Sequence, residues 1–116
     1  MESKELAKKI ATILDDKKAQ NVKVMEIKDI TSLADYFVIC NGTSSTHLKA
    51  LCDEVDFVLK DSDIRVRHNE GYTSANWILM DYGDVVVHIF NQESLDFYDL
   101  ARLWSEANEI DFKEEA

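Results

Sequence analysis

The sequence predicts a single α/β (α+β) domain in which helices pack on a mixed β-sheet. Segments with apolar residues at helical spacing alternate with strand-like runs, and two apolar runs around Gly83-Asp84 predict a closing β-hairpin. The chain contains no proline, so none of these elements is interrupted internally. Its 116 residues are enough to bury one hydrophobic core without disulfides or metal ions.

The first part of the chain predicts one helix and two strands. We expect the helix over residues 3–18, a strand over 21–28, a loop over 29–35 and a buried strand over 36–41. Apolar residues at helical spacing indicate the helix, and runs rich in β-branched and aromatic residues indicate the strands. The helical stripe consists of Leu6, Ile10, Ile13 and Leu14.

The middle of the chain predicts a second helix. A turn at Gly42-Thr43 precedes it, and Ser44 or Ser45 can cap its first turn. The apolar positions continue at helical spacing to about residue 60, and a short strand is expected over 64–67.

The C-terminal part predicts a loop at Glu70-Gly71, the hairpin, and then a last helix over residues 94–106. We therefore expect one domain over residues 1–108. Residues 109–116 are acid-rich and are expected to form a flexible tail.

The hairpin over residues 77–90 has two different faces. Gly in the first position of a two-residue loop suits a type II′ turn, and that turn sets a register pairing Trp77 with Phe90 and Tyr82 with Val85. Side chains alternate along strands, so the pairs sort into two sets. The nearly all-apolar set is Ile78, Met80, Tyr82, Val85, Val87 and Ile89; the other is Trp77, Leu79, Asp81, Val86, His88 and Phe90.

The second set combines aromatic rings with a carboxylate and an imidazole, which is unusual for a core and typical of a protein-docking surface. A sheet covered on both faces is the alternative, with Tyr98, Leu103 and Trp104 of the last helix packing over it. His88 has two corresponding interpretations: a hydrogen-bonded histidine within the sheet, or a donor or acceptor at an interface.

The charge balance disfavours nucleic acid as the main ligand. Thirteen basic and 23 acidic residues give a net charge of −10, which repels phosphate backbones. An acidic surface favours basic protein partners, although it also serves solubility alone. No apolar run is long enough to span a bilayer, and the N-terminus has no signal-peptide pattern, so we expect a cytoplasmic location.

The cysteines and histidines do not form a recognisable site. Cys40 falls in an apolar strand and Cys52 on the apolar stripe of a helix, so both are expected to be buried thiols. His47, His68 and His88 have neither helical nor Cys-x-x-Cys spacing with one another or with the cysteines. We therefore expect no metal or cofactor, although ligands distant in sequence leave a metal site open.

The order of motifs resembles that of the ribosomal silencing factor family, also called RsfS or Iojap-like proteins. The resemblance extends from about Leu6 to Trp104, and its specificity comes from the motifs occurring together and in order. They are Ala34-Asp35-Tyr36, Gly42-Thr43-Ser44-Ser45, His47, Glu70-Gly71, Trp77, Asp81-Tyr82-Gly83-Asp84, Val87-His88 and Leu103-Trp104.

The resemblance implies a fold related to nucleotidyltransferases and a function in translation. Silencing factors bind the fourteenth-named protein of the large ribosomal subunit on the face that meets the small subunit, and block subunit joining sterically. A homodimer is also compatible with the family. By position, the partner-binding residues would be Trp77, Leu79, Asp81, Tyr82, His88 and Phe90, with Glu70 as a weaker candidate at the rim.

The same relation raises the alternative of a residual or catalytically dead nucleotidyltransferase. Gly42-Thr43-Ser44-Ser45 resembles the phosphate-binding turn of that fold, but a helix cap explains it as well. Asp61 and Asp63 have the spacing of paired metal ligands, yet they fall at a helix end, and the hairpin strands carry no second carboxylate. The sequence therefore predicts a non-enzyme. A homodimeric interaction module without a ribosomal partner is the other alternative.

Overall fold

The computed structural model describes residues 2–91 and 107–113. Within these residues the chain forms two helices and six strands. In chain order they are α1 (Ser3–Asp16), β1 (Gln20–Glu26), β2 (Tyr36–Gly42), α2 (Ser45–Asp61), β3 (His68–Glu70), β4 (Trp77–Asp81), β5 (Val85–Asn91) and β6 (Asn108–Ile110). No helix in this part of the chain is both long and apolar enough to cross a membrane.

The six strands form one mixed sheet in the order β3-β4-β5-β2-β1-β6. β2 and β5 pair in parallel, and every other neighbouring pair is antiparallel. Two helices against a mixed sheet confirm the predicted α+β class.

Both helices pack on the same face of the sheet. Their apolar stripes form the main core together with alternate residues of the central strands, and Leu14, Leu51 and Ile78 have no exposed surface. β2 is buried along its whole length because it lies between two other strands, with the helices over one face and a second apolar cluster on the other. The predicted stripe of α1 is confirmed, with Ile13 partly buried at its edge.

The opposite face carries a smaller apolar cluster to which neither helix contributes. Its buried members come from β1, β2, β5 and the loop before β2, and Trp77 and Leu79 pack against it. The buried residues are Met25, Ile27, Ala34, Phe37, Ile39, Val86 and Phe90.

The predicted hairpin register is confirmed. Trp77 pairs with Phe90 and Leu79 with His88, and the Tyr82 N–H donates to the Val85 carbonyl at 2.9 Å. Gly83 has φ +92°, whereas Asp84 is not in the left-handed region, as a type II′ turn requires.

Two element boundaries differ from the prediction. The strand expected over 64–67 lies at β3 instead, so Glu70 belongs to a strand and not to a loop. Ile64 is still tied to the end of α2, because its N–H donates to the Leu59 carbonyl at 2.8 Å. The Arg67 N–H already donates to the Asp81 carbonyl at 2.8 Å, and the paired residues begin at His68. Ile64 and Val66 therefore pack on the core ahead of the strand.

The C-terminal predictions are only partly covered by the structure. The helix expected over residues 94–106 lies outside the described residues. Asn108–Ile110 forms β6 and pairs with β1, so the sheet extends into the start of the segment predicted as a tail. Ile110 and Phe112 pack against the main core.

We expect Gly83→Ala to destabilise the fold by about 1–2 kcal/mol, since alanine is strained at a positive φ. The new Cβ would also lie 2.9 Å from Cζ of Arg67. The free energy of unfolding in urea measures the effect. Asp84→Asn, which changes the other central residue of the turn without strain, is the matched control. Equal stability of the two variants would contradict the predicted backbone constraint.

Candidate protein-docking surface

The strand registers place the predicted docking residues in two rows across the sheet. Leu79 lies between Glu70 and His88, and Asp81 lies between His68 and Val86. Since residues two apart on a strand share a face, both rows belong to the face opposite the helices.

Trp77 and His88 form the best-defined contact of this face. The indole Nε1–H donates to Nδ1 of His88 at 3.0 Å, and the two ring centroids are 5.7 Å apart. Phe37 meets the imidazole edge-on at 4.5 Å, and Phe90 stacks on Trp77 at 5.2 Å. Because Nδ1 accepts a hydrogen bond, the neutral imidazole carries its proton on Nε2.

Burial keeps His88 uncharged. Only 4% of the residue is exposed, and the loss of solvation lowers its pKa to about 4. Its Nε2 is buried and has no hydrogen-bond partner within the described residues. An unpaired buried donor is costly, so the apolar and aromatic packing around His88 must compensate for it.

An open depression of about 260 Å³ lies beside this aromatic group. Apolar side chains and two carboxylates contribute to its lining. The lining residues are Leu33, Phe37, His68, Glu70, Leu79, Asp81, Val86 and His88.

The acidic residues of the depression are held by local contacts. Asp81 accepts a hydrogen bond from the backbone N–H of Gly83 at 2.7 Å, which fixes the carboxylate beside the turn. Glu70 lies 3.3 Å from Nε2 of His68, and both of these side chains are mostly exposed. The depression therefore offers an apolar surface next to negative charge.

The structure brings together most of the residues predicted from sequence. Glu70, Leu79, Asp81 and His88 line the depression. Trp77 adjoins it through its hydrogen bond to His88.

Phe90 and Tyr82 are placed differently from those five. Phe90 has no exposed surface and supports Trp77 from within the cluster. Tyr82 is buried in the main core on the opposite face, as the register predicts, and does not line the depression. Burial raises the pKa of its hydroxyl.

Three lining residues were missed by the sequence reasoning: Leu33, Phe37 and His68. Val86 was placed on this face by the hairpin alternation, although it was not among the predicted partner-binding residues. Alternation along β2 could have placed Phe37 on this face in the same way. The alternative that the last helix covers the face concerns residues outside the described part of the chain.

The turn before α2 is a helix cap. Oγ of Ser44 accepts from the His47 N–H at 3.1 Å, which confirms the predicted cap. Nδ1 of His47 accepts from the Thr43 N–H at 3.0 Å, and its Nε2 donates to the Lys17 carbonyl at 3.1 Å. The backbone N–H groups of Thr43 and His47, at the turn before α2 and in its first turn, are therefore already bonded to protein atoms.

Neither the acidic residues nor the cysteines assemble into a metal site in the described structure. Over residues 2–91 and 107–113, no three His, Cys, Asp or Glu side chains form a group that could hold a metal ion. Cys40 and Cys52 are free and buried, as predicted. Burial raises the pKa of both thiols, that of Cys52 to about 11. A protonated buried thiol is a poor nucleophile.

Comparison with known proteins identifies the family. A family model described as "Ribosomal silencing factor during starvation" matches residues 1–116. The ribosomal silencing factor RsfS of Halalkalibacterium halodurans is 36% identical over 113 residues, which are 97% of this chain and 97% of that protein. The crystal structure of a Chromobacterium violaceum protein has a TM-score of 0.84 and 32% identity, covering 100% of this chain and 96% of that one.

A longer eukaryotic relative is also similar. "Mitochondrial assembly of ribosomal large subunit protein 1" of Mus musculus is 30% identical over 100 residues, which are 83% of this chain and 43% of the mouse protein. The α+β domain described above is thus that of ribosome-associated regulators of translation. The chain belongs to the ribosomal silencing factor family, which confirms the resemblance seen in the motifs.

We expect Ser44→Ala to lower the free energy of unfolding by about 1 kcal/mol, because it removes the acceptor that caps α2. Ser45→Ala, at the first helical position, is the matched control and should cost less than about 0.5 kcal/mol. Urea unfolding monitored by circular dichroism compares the two. A larger loss in the Ser45 variant would show that the cap is assigned to the wrong serine.

We expect the fold to lose stability as pH falls below the ordinary histidine pKa of 6.5, because the folded pKa of His88 is about 4. Between these values the unfolded chain binds a proton that the folded chain does not, so acidification favours unfolding. From about pH 7.5 to about pH 5.2 the contribution of His88 is about 2 kcal/mol.

Urea unfolding at several pH values tests this linkage in the wild type, in His88→Gln and in the control His68→Gln. The slope with pH should decrease in the His88 variant only. Nitrogen chemical shifts of the His88 ring give an independent reading that needs no variant. A protonation midpoint near pH 6.5 would show that the imidazole is not buried as described.

Proposed function

We propose that this protein silences ribosomes by docking its hairpin face on a protein of the large subunit and obstructing the small subunit. The partner implied by the family resemblance is the fourteenth-named large-subunit protein, on the face where the subunits meet. Membership of a family named for ribosome silencing supports this function. The mouse relative, named for large-subunit assembly, supports the choice of subunit. We place the action in the cytoplasm, where bacterial ribosomes work.

The single observation that carries the docking proposal is the aromatic and acidic depression beside Trp77. Interface hot spots are enriched in tryptophan, and they lie where water is excluded and the partner finds a prepared pocket. Trp77 is partly buried, stacked on Phe90 and hydrogen-bonded to His88, so its orientation is fixed before binding. A preorganised anchor loses little conformational entropy on association.

The charges of the face suit a basic partner. Glu70 and Asp81 line the depression, and the whole chain has a net charge of −10. Such a surface accelerates encounter with a basic protein and is repelled by neighbouring RNA phosphates. The contact would therefore be directed to protein rather than to RNA on the subunit surface.

The residues of the face take different parts in this proposal. Trp77 and Leu79 provide the apolar contact, and Asp81 and Glu70 provide the negative rim. His88 and Phe90 hold Trp77 from below, and Tyr82 supports the hairpin from the opposite face of the sheet. His88 thus acts by positioning Trp77, because its Nδ1 is occupied and its Nε2 is buried.

Steric obstruction needs no chemistry at the interface. An interface of about 800 Å² per partner is ordinary for a specific complex and would hold the factor in place. The protein measures 34 × 32 × 25 Å, so a copy bound on the face where the subunits meet would add a body of that size between them. We propose that it is not an enzyme. The bonded N–H groups of the α2 turn support this, since a phosphate would have to displace His47.

Co-sedimentation with isolated large subunits, small subunits and coupled ribosomes tests the proposal. We expect binding to large subunits alone, and fewer coupled ribosomes when small subunits are added afterwards. Absence of binding to large subunits would overturn the proposed function. Calorimetry with ATP and Mg²⁺ then tests the residual nucleotidyltransferase, and sedimentation equilibrium tests the homodimeric module.

We expect Trp77→Ala to weaken binding to large subunits by about 2 kcal/mol or more, roughly thirty-fold, as for a buried aromatic anchor. Phe57→Ala on the exposed side of α2 is the control, because it removes an aromatic ring from the surface without touching the depression. Circular dichroism must show both variants folded. Wild-type affinity in a folded Trp77 variant would place the interface elsewhere.

A further inference from the structure

Leu33 is the most exposed large apolar residue of the described chain, and it lies at the proposed docking surface. Its side chain is 74% exposed, yet it lines the depression together with Leu79 and Val86. Phe57, at 72% exposure, is nearly as exposed, but it belongs to α2 on the other side of the sheet and does not line the depression. Exposure alone is common, whereas exposure at the edge of an apolar depression marks a contact site.

The backbone holds Leu33 in this position. The N–H groups of Ile30 and Thr31 donate to the Ile27 carbonyl at 2.9 and 3.0 Å, and the Leu33 N–H donates to Oγ1 of Thr31 at 3.2 Å. The Asp35 N–H donates to the Asp84 carbonyl at 2.8 Å. The loop is therefore tied to the hairpin turn, and the backbone that carries Leu33 needs little ordering on binding.

We infer that Leu33 is a contact residue of the docking surface, and that the depression between Leu33 and Leu79 takes an apolar side chain of the basic protein partner. This inference rests on the proposed function and extends the surface from the hairpin to the loop before β2. Leu33, Phe37, Leu79 and Val86 supply an apolar lining.

The charges select a basic protein over a second copy of this chain. Glu70 and Asp81 line the same depression, and each copy carries a net charge of −10. A symmetric dimer through this face would bring those carboxylates towards one another, which is unfavourable. A partner with an apolar residue beside lysine or arginine satisfies both the apolar lining and the acids.

The test compares Leu33→Ser with Phe57→Ser as the matched control, and Leu33→Met as the conservative replacement. Both serine variants remove a comparably exposed apolar side chain, so each should unfold at nearly the wild-type urea concentration. Equilibrium binding to purified large subunits is measured by co-sedimentation over a concentration series. We expect Leu33→Ser to weaken binding about ten-fold and Phe57→Ser less than about two-fold, with Leu33→Met close to wild type.

The outcomes separate this inference from the function on which it rests. If wild-type protein does not bind large subunits, the proposed function fails. If the wild type binds and Leu33→Ser binds equally well, or Phe57→Ser is weakened as much, only the role of Leu33 is overturned. Loss of self-association in Leu33→Ser, with unchanged subunit binding, would instead assign the depression to a second copy.

Discussion

The parallel pairing of β2 with β5 is the constraint on which the arrangement of both faces depends. Seven pairs join the strands, from Tyr36–Val85 to Gly42–Asn91, and β2 is buried throughout. The pairing joins the N-terminal half of the chain to the hairpin. At the Tyr36–Val85 end of this pairing, the Asp84 carbonyl accepts from the N–H groups of both Asp35 and Tyr36. The hairpin turn and the loop carrying Leu33 are therefore fixed to each other.

The features that could be predicted from the sequence are those fixed by neighbouring residues. The hairpin register follows from the chemistry of Gly83-Asp84, because a two-residue turn determines the pairing of its own strands. The two faces of the hairpin then follow by alternation, including the position of Tyr82 in the core. The helix cap at Ser44 is local in the same way.

Features that depend on contacts between residues distant in sequence could not be predicted from the sequence. Ile64 and Val66 have the composition of a strand, but hydrogen bonding to the end of α2 and the position of β4 shift the pairing to His68–Glu70. The exposure of Leu33 depends on the path of its loop over the sheet, and the local sequence pattern does not predict that path. The hydrogen bond from Trp77 to Nδ1 of His88 depends on ring orientations, which the register alone leaves open.

The face opposite the helices combines a side-chain hydrogen bond with aromatic packing around one buried histidine. His88 is surrounded by Phe37, Trp77 and Phe90, and this environment keeps it neutral and able to accept from the indole. A charged imidazole would lose that acceptor and would be poorly solvated among the rings. The same packing that stabilises the smaller cluster therefore also orients Trp77.

The ends of the sheet have a consequence for behaviour at high concentration. Among the described residues the sheet ends at β3 and β6, each of only three residues, and β3 consists of the exposed polar residues His68, Asn69 and Glu70. Long apolar edges recruit strands from other molecules, whereas short edges with polar or charged side chains resist such addition. A protein that exposes Leu33 and part of Trp77 is thereby less prone to strand-by-strand aggregation with itself.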